Sequence, residues 1–193
     1  PTVWQADGKF YTVATGINTI LESTNLVNWK NMRRRPLTEE AAQSVRSLSK
    51  KVWAPDMVRI GDKWMLYLTL YGTGAEDSRI GAFSSDSPTG TWKFESVITD
   101  SKDTGIKDTI DPEVVADPAT GKLWLFFGSM GKVHSVELDR TGTALAKKAK
   151  YVHVAGVDGD SDHSREKVFE GSYLHQHDGW WYLFASKGQY WSH

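Results

Sequence analysis

The sequence predicts an all-β protein, a β-propeller of four-stranded antiparallel blades, and three observations carry that expectation. The first is an internal repeat. Pro1-Thr2-Val3, leading through Asp7-Gly8 to Phe10-Tyr11, is matched by Ala54-Pro55-Asp56, leading through Gly61-Asp62 to Trp64-Met65-Leu66-Tyr67. A third copy runs from Asp111-Pro112-Glu113 through Gly121-Lys122 to Trp124-Leu125-Phe126, and a fourth from Glu170-Gly171-Ser172 through Asp178-Gly179 to Trp181-Tyr182-Leu183-Phe184. With residues 1, 55, 112 and 172 taken as equivalent, the spacings are 54, 57 and 60 residues. The second observation is local: every copy places a short turn signal between two β-type runs, which is the pattern of a hairpin. The third is that no segment carries the pattern of a long helix. A sheet that cannot cover its own apolar faces gains a core by stacking on copies of itself, and radial stacking of such sheets is a propeller.

Each blade can be justified strand by strand. The Pro1, Pro55, Pro112 and Ser172 segments are the innermost strands, and the aromatic runs after the turns are the second strands. Ser78-Arg79-Ile80-Gly81-Ala82-Phe83-Ser84 and Gly131 to Leu138 supply third strands. Asn25-Leu26-Val27-Asn28-Trp29-Lys30 and Thr89-Gly90-Thr91-Trp92-Lys93-Phe94 supply the outer ones. This divides the single domain 1–193 into a first blade at about 1–52, a second at about 53–109, a third at about 110–168 and a fourth beginning at about 169. Thr38 to Lys50 reads either as a turn or two of helix or as an inter-blade loop. Trp64, Trp124 and Trp181, which follow the hairpin turns, are expected in the core.

Composition removes several classes of function. The chain has 193 residues, 9 tryptophans, no cysteine and a formal net charge of −1. Without cysteine there is no disulfide framework and no thiolate metal site. Near-neutral charge argues against a nucleic-acid partner held through phosphates. The longest apolar runs, Trp64 to Leu70 and Leu123 to Gly128, fall far short of the ~20 residues that span a bilayer, so no membrane passage is expected. No basic segment followed by an apolar one opens the sequence, which fits a chain without a signal peptide or a processed form. At about 57 residues per blade the chain supplies about three and a half blades, whereas propellers close with about 4 to 8. The remaining propeller segment is then expected as a separate or missing piece.

In an antiparallel blade, the start of the innermost strand and the end of the second lie on one rim. Trp53 and Ala54, Ile110 and Asp111, and Glu170 are therefore expected to converge. The loops after the second strands join them: Thr15-Gly16, Tyr71-Gly72, Gly128-Ser129 and Ser186-Lys187-Gly188. Asp111 and Glu170 bring carboxylates from adjacent blades to this mouth, at what looks like one repeat position. Paired carboxylates across a cleft are the machinery of glycosidic bond cleavage. Trp53 is the best-placed aromatic face for a sugar ring, with an inter-blade core position as its alternative.

Ile110-Asp111-Pro112-Glu113-Val114, Phe169-Glu170-Gly171-Ser172-Tyr173, Trp53-Ala54-Pro55-Asp56 and Pro1-Thr2-Val3 together resemble the blade starts of glycoside hydrolase family 43. Gly128-Ser129, the run Ser135 to Asp139, and Glu170-Gly171-Ser172-Tyr173 followed by Asp178 to Ser186 look most like its arabinanase branch. The resemblance implies a five-bladed propeller and an inverting mechanism with three acids. Carried over, Glu170 is the general acid and Asp111 tunes its pKa and orients it. The base falls on the residue immediately before Pro1. Substrate contacts are expected from Trp53, Ala54, Ile110, Ser129 and Tyr71. No cofactor is required for the chemistry. A structural calcium or sodium ion near the axis is implied, held through a fifth-blade histidine, with ligands mostly outside this chain. The substrate implied is arabinan or arabino-oligosaccharide, cleaved at α-1,5 links by an endo-acting enzyme that is secreted or periplasmic. An exo-acting α-L-arabinofuranosidase or β-xylosidase of the same fold is the alternative within the enzyme class. A non-catalytic carbohydrate-binding propeller fragment is the alternative outside it.

Three further features are weaker. Asp158-Gly159-Asp160-Ser161-Asp162-His163 begins like a calcium loop, but His163 stands where that pattern needs glycine, so a polar loop is expected. His175-Gln176-His177 alternates along a strand and reads as surface histidines. Arg33-Arg34-Arg35 reads as a solvated turn.

Overall fold

The computed structural model describes residues 2–17, 19–156 and 169–188. The segment 158–163 lies outside these. β1 (Thr2–Ala6), β2 (Lys9–Val13), β3 (Ile20–Ser23) and β4 (Lys30–Asn31) form the first sheet; then α1 (Glu39–Leu48) intervenes. β5 (Lys51–Ile60), β6 (Lys63–Tyr71), β7 (Ser78–Ser85) and β8 (Lys93–Asp100) form the second, closed by the short α2 (Ser101–Thr104). β9 (Glu113–Ala116), β10 (Leu123–Phe127), β11 (Lys132–Leu138) and β12 (Val152–Gly156) form the third. β13 (Phe169–His177) and β14 (Trp180–Lys187) pair as a hairpin. Within each sheet the strands follow one another in sequence order, every pair antiparallel. The innermost strands β1, β5, β9 and β13 each neighbour the next.

Turn chemistry fixes the hairpins at the positions the sequence predicts. Asp7-Gly8 and Asp178-Gly179 have positive φ at both residues, the geometry that matches the twist of the strands they join. The outer strand of the second sheet differs from expectation: it starts at Lys93 and runs on to Asp100. The Thr89 to Trp92 stretch ahead of it serves another purpose. Trp92 is fully buried, its N–H donates to the Pro36 carbonyl at 2.7 Å, and its own carbonyl accepts from Thr38 at 3.0 Å, tying the approach to α1 onto the second sheet.

Of the two readings of 38–50, the structure has the helix, ten residues long. Thr38 caps it, its hydroxyl accepting the Ala41 N–H at 3.2 Å. Glu39 and Glu40 in the first turn and Arg46 in the last suit the helix dipole. Ala41 and Val45, one turn apart, are buried, and Leu48 packs beside them against the first core.

Two cores lie between successive sheets. Trp4, Tyr11, Val13 and Ile20 of the first sheet meet Leu66, Leu68, Leu70 and Phe83 of the second, with Trp64 packed alongside. Met65, Tyr67, Ile80 and Ala82 on the other face of the second sheet meet Val114, Leu125, Phe127 and Val136 of the third. Because strand side chains alternate, β6 supplies both cores. Tyr67 crosses between sheets, its hydroxyl donating to the Gly142 carbonyl at 2.8 Å. Trp124 is only partly buried, with the Lys122 ammonium 6.0 Å from its ring. Trp181 departs from expectation. It is 41% exposed, as are Trp180, Tyr182 and Phe184 to similar or greater extent; among the described residues no further sheet stacks on the hairpin β13–β14 as the third does on the second. Among the described residues no helix is long and apolar enough to cross a membrane.

Candidate active site

At the entrance of three innermost strands the backbone leaves the extended region at the same repeat position. Ala54, Asp111 and Gly171 have φ of +37°, +55° and +63°. In β5 and β13 the ladder slips here, between Trp53 and Asp56 and between Glu170 and Tyr173, as a bulge does. The alignment of these positions corrects one expectation. Asp111 stands in register with Ala54 and Gly171, whereas Glu170 stands in register with Trp53 and Ile110. The two carboxylates come from neighbouring positions of the repeat, not the same one.

They nonetheless meet. A cavity of about 750 Å³ is lined by Ala54, Asp56, Asp111, Glu113, Glu170 and Tyr173, among others, with Thr15 and Ser186 from the loops after the second strands. Asp111 is fixed through its backbone: its N–H donates to the Thr69 hydroxyl of the second sheet at 3.0 Å. Burial, then the charge of Glu170, push the Asp111 carboxyl up to about 6. Glu170 accepts a short hydrogen bond from the Ser129 hydroxyl. Ser129 is held in turn by the loop after β10, where the Gly128 N–H donates to the Ile110 carbonyl at 2.8 Å.

Two more carboxyl groups line the cavity, and sequence reasoning passed over both. Asp56 accepts the Val114 N–H at 2.8 Å, and burial pushes it up to about 6. Glu113 accepts the Leu174 N–H with both oxygens, at 2.8 and 2.9 Å. It is raised to about 8, by burial first and then by the charge of Asp56, with the Leu174 N–H opposing. The available signal was positional: each follows the proline of its strand, in Pro55-Asp56 and Pro112-Glu113.

The other expected substrate contacts divide. Ala54 lines the cavity. Ile110 does not; it is 8% exposed and its side chain belongs to the interior, ahead of the left-handed turn at Asp111. Ser129 is also buried, at 5% exposure, and works on Glu170. Trp53 and Tyr71 lie off the lining and pair with each other, rings 4.3 Å apart, the Lys51 ammonium 5.5 Å from the Trp53 ring. The position expected for the base lies outside the described residues. His175 and His177 are exposed, their rings 6.4 Å apart, and Arg33, Arg34 and Arg35 are exposed as well. Among the described residues no group of three or more His, Asp or Glu side chains is placed to hold a metal ion, so those present do not make up the ion site expected near the axis.

Comparison with known proteins agrees with this geometry. The extracellular endo-α-(1→5)-L-arabinanase 1 of Bacillus subtilis is 31% identical over 138 residues, which cover 67% of this chain and 42% of that protein. The extracellular exo-α-(1→5)-L-arabinofuranosidase of Cellvibrio japonicus is 26% identical over 202 residues, covering 97% of this chain and 58% of its own length. Among solved structures, the α-L-arabinanase of Cellvibrio cellulosa in complex with arabinohexaose superposes with a TM-score of 0.80 at 24% identity, covering 97% of this chain and 64% of that one. The chain spans about half the length of the curated relatives it matches. The repeat, the strand-entry acids and a match over residues 1–193 to the model for glycosyl hydrolases family 43 converge, and the chain belongs to that family.

Proposed function

We propose that the protein of which this chain is part is a secreted endo-1,5-α-L-arabinanase that hydrolyses linear arabinan with inversion. The observation that carries this reading is the arrangement of Asp111 and Glu170 on one cavity large enough for a sugar, with the buried Ser129 hydroxyl bonded to Glu170. Glu170 donates its proton to the leaving glycosidic oxygen. Ser129 fixes one carboxylate oxygen of Glu170, leaving the other for that oxygen. Asp111, ionised above about pH 6, sets a negative charge beside Glu170 and takes the tuning and orienting role. In an inverting enzyme a base on the opposite side, roughly 6.5–9.5 Å from the acid, activates the attacking water. The sheets are read as blades of a five-bladed propeller whose axis passes through the cavity, a reading supported by the neighbouring innermost strands. The likeness to an exo-acting relative over 97% of this chain supports the second reading, exo action by the same machinery.

The full-length protein acting on linear arabinan decides between these. A ladder of oligosaccharides is expected; release of arabinose alone establishes exo action, and no release of sugar leaves a binding propeller. Glu170→Gln is expected to cost about a hundredfold or more in kcat, the scale of a lost general acid, while binding of arabino-oligosaccharide persists. A fully active Glu170→Gln enzyme overturns the assignment.

A further inference from the structure

We propose that Glu113, with Asp56 one sheet earlier, is a positioning residue: each carboxyl group clasps an open N–H on the innermost strand of the next sheet, and the Glu113 clasp sets how Asp111 meets Glu170. An innermost strand pairs with its sheet along one edge only, so on the other edge alternate N–H groups have no ladder partner. Val114 and Leu174 carry two of these. The first donates to Asp56, at 2.8 Å, and the second to both oxygens of Glu113, at 2.8 and 2.9 Å.

The two links use the same repeat positions. Asp56 and Glu113 each follow the proline of their strand, and Val114 and Leu174 each stand two residues beyond Pro112 and Ser172. Donor and acceptor are 58 residues apart in one link and 61 in the other, one blade in both. A contact that recurs at the repeat interval belongs to the architecture. The series stops at β13, where the equivalent residue is Tyr173, 58% exposed.

The second link bears on the acid pair, and here the inference rests on the hydrolase reading. Glu113 is two residues beyond Asp111, and Leu174 is four beyond Glu170. Above them, the Asp111 carboxylate and Gly171 face the same cavity. β9 and β13 are therefore joined by the Glu113 link beside the cavity, close in sequence to both acids. Among the described residues, the ionisable groups that share the cavity with Glu113 are the carboxyl groups of Asp56 from β5, Asp111 on the entrance to its own strand and Glu170 from β13, and the phenol of Tyr173 from β13. Held up to about 8, Glu113 keeps its proton at neutral pH and grips Leu174 without adding a further charge beside the pair.

Three variants of the full-length protein test the clasp. Glu113→Gln keeps a neutral acceptor of the right length, Glu113→Leu removes the acceptor, and Glu113→Asp keeps the carboxyl but withdraws it by one methylene. The activity readout is kcat, KM and the pH profile on linear arabinan. Gln is expected to stay within about twofold of the parent at pH 6, whereas Leu and Asp lose about tenfold or more in kcat with KM little changed and the pH profile displaced, as misplacement of reacting groups produces. The second readout is hydrogen exchange at the Leu174 amide, protected in the parent and in Gln, and released in Leu and Asp. Loss of thermal stability alone, with kcat, pH profile and Leu174 protection unchanged, overturns the proposal. Should Leu fail to fold, Asp carries the comparison. Should the parent protein not hydrolyse arabinan, the hydrolase reading fails separately, and Leu174 exchange still decides the clasp: release in Asp with protection in Gln supports it, and protection in both overturns it.

Discussion

Asp111 combines three demands on a single residue. Its backbone must turn left-handed, which aspartate tolerates better than most residues; its N–H must reach the Thr69 hydroxyl; and its charge must sit beside Glu170. Asp111→Asn separates the last of these from the first two, since asparagine suits the same backbone and keeps the same N–H. The tuning role proposed for Asp111 depends on that negative charge. The alkaline limb of the kcat/KM profile is expected to move to lower pH, with kcat reduced about tenfold or more, the scale on which removing a fixed charge or dipole beside the reacting atoms slows an enzyme. An unmoved alkaline limb would mean that Asp111 acts through orientation alone. Ala54 occupies the same backbone position without aspartate's tolerance, at φ +37°. Left-handed backbone costs a non-glycine residue about 1–2 kcal/mol, so Ala54→Gly is expected to raise the midpoint of thermal unfolding, less the entropy that glycine costs the folded chain.

The elements differ in how far the sequence announces them. Hairpins are legible because Asp-Gly turns dictate strand twist, and β1–β2 and β13–β14 form where those residues stand. Strands of the second sheet are legible because alternating apolar residues serve two cores at once, and those of the third because one apolar face serves the second core. The helix α1 is only half announced: its buried stripe is Ala41, Val45 and Leu48, too small to stand out from a loop, and tertiary contact with the first core completes it. Its cap is explicit, and Thr38→Ala is expected to cost about 1 kcal/mol in a denaturation curve. The site follows the same division. Asp111 and Glu170 are visible as acids at strand entrances, and their offset by one position is legible as well once residues 112 and 172 are taken as equivalent. Ile110 reads as a rim residue and lies inside, because a position on the strand does not say which way its side chain turns. Trp53 and Tyr71 read as sugar contacts by position alone, and their ring-to-ring pairing is a choice of partner that no spacing encodes.

At the scale of the whole molecule, function and stability pull in opposite directions through the same carboxyl groups. Asp56 and Asp111 are held up to about 6 and Glu113 up to about 8, each mainly by burial. A raised carboxyl group binds its proton more tightly folded than unfolded. Its contribution to stability is complete below its ordinary value near 4 and is lost as pH rises, until the folded-state value is passed. These three groups therefore make the fold less stable from about pH 4 upward, the aspartates up to about 6 and Glu113 up to about 8. Surface carboxylates work the other way. Asp77, held down by Lys102, the Thr73 N–H and Arg79, and Asp86, held down by Lys63, stabilise the fold above pH 4 and cease to do so in acid. The midpoint of thermal unfolding is expected to peak in mildly acid solution and to fall toward pH 8. Glu113→Gln removes the proton that only the folded state retains between pH 4.5 and 8, so its midpoint should gain on that of the parent steadily across this window and by nothing further above it. Calorimetry of the two proteins at half-unit intervals measures that difference directly. A difference independent of pH would mean that Glu113 ionises alike in the folded and unfolded chain, and that the cavity does not hold its carboxyl groups in the protonated state.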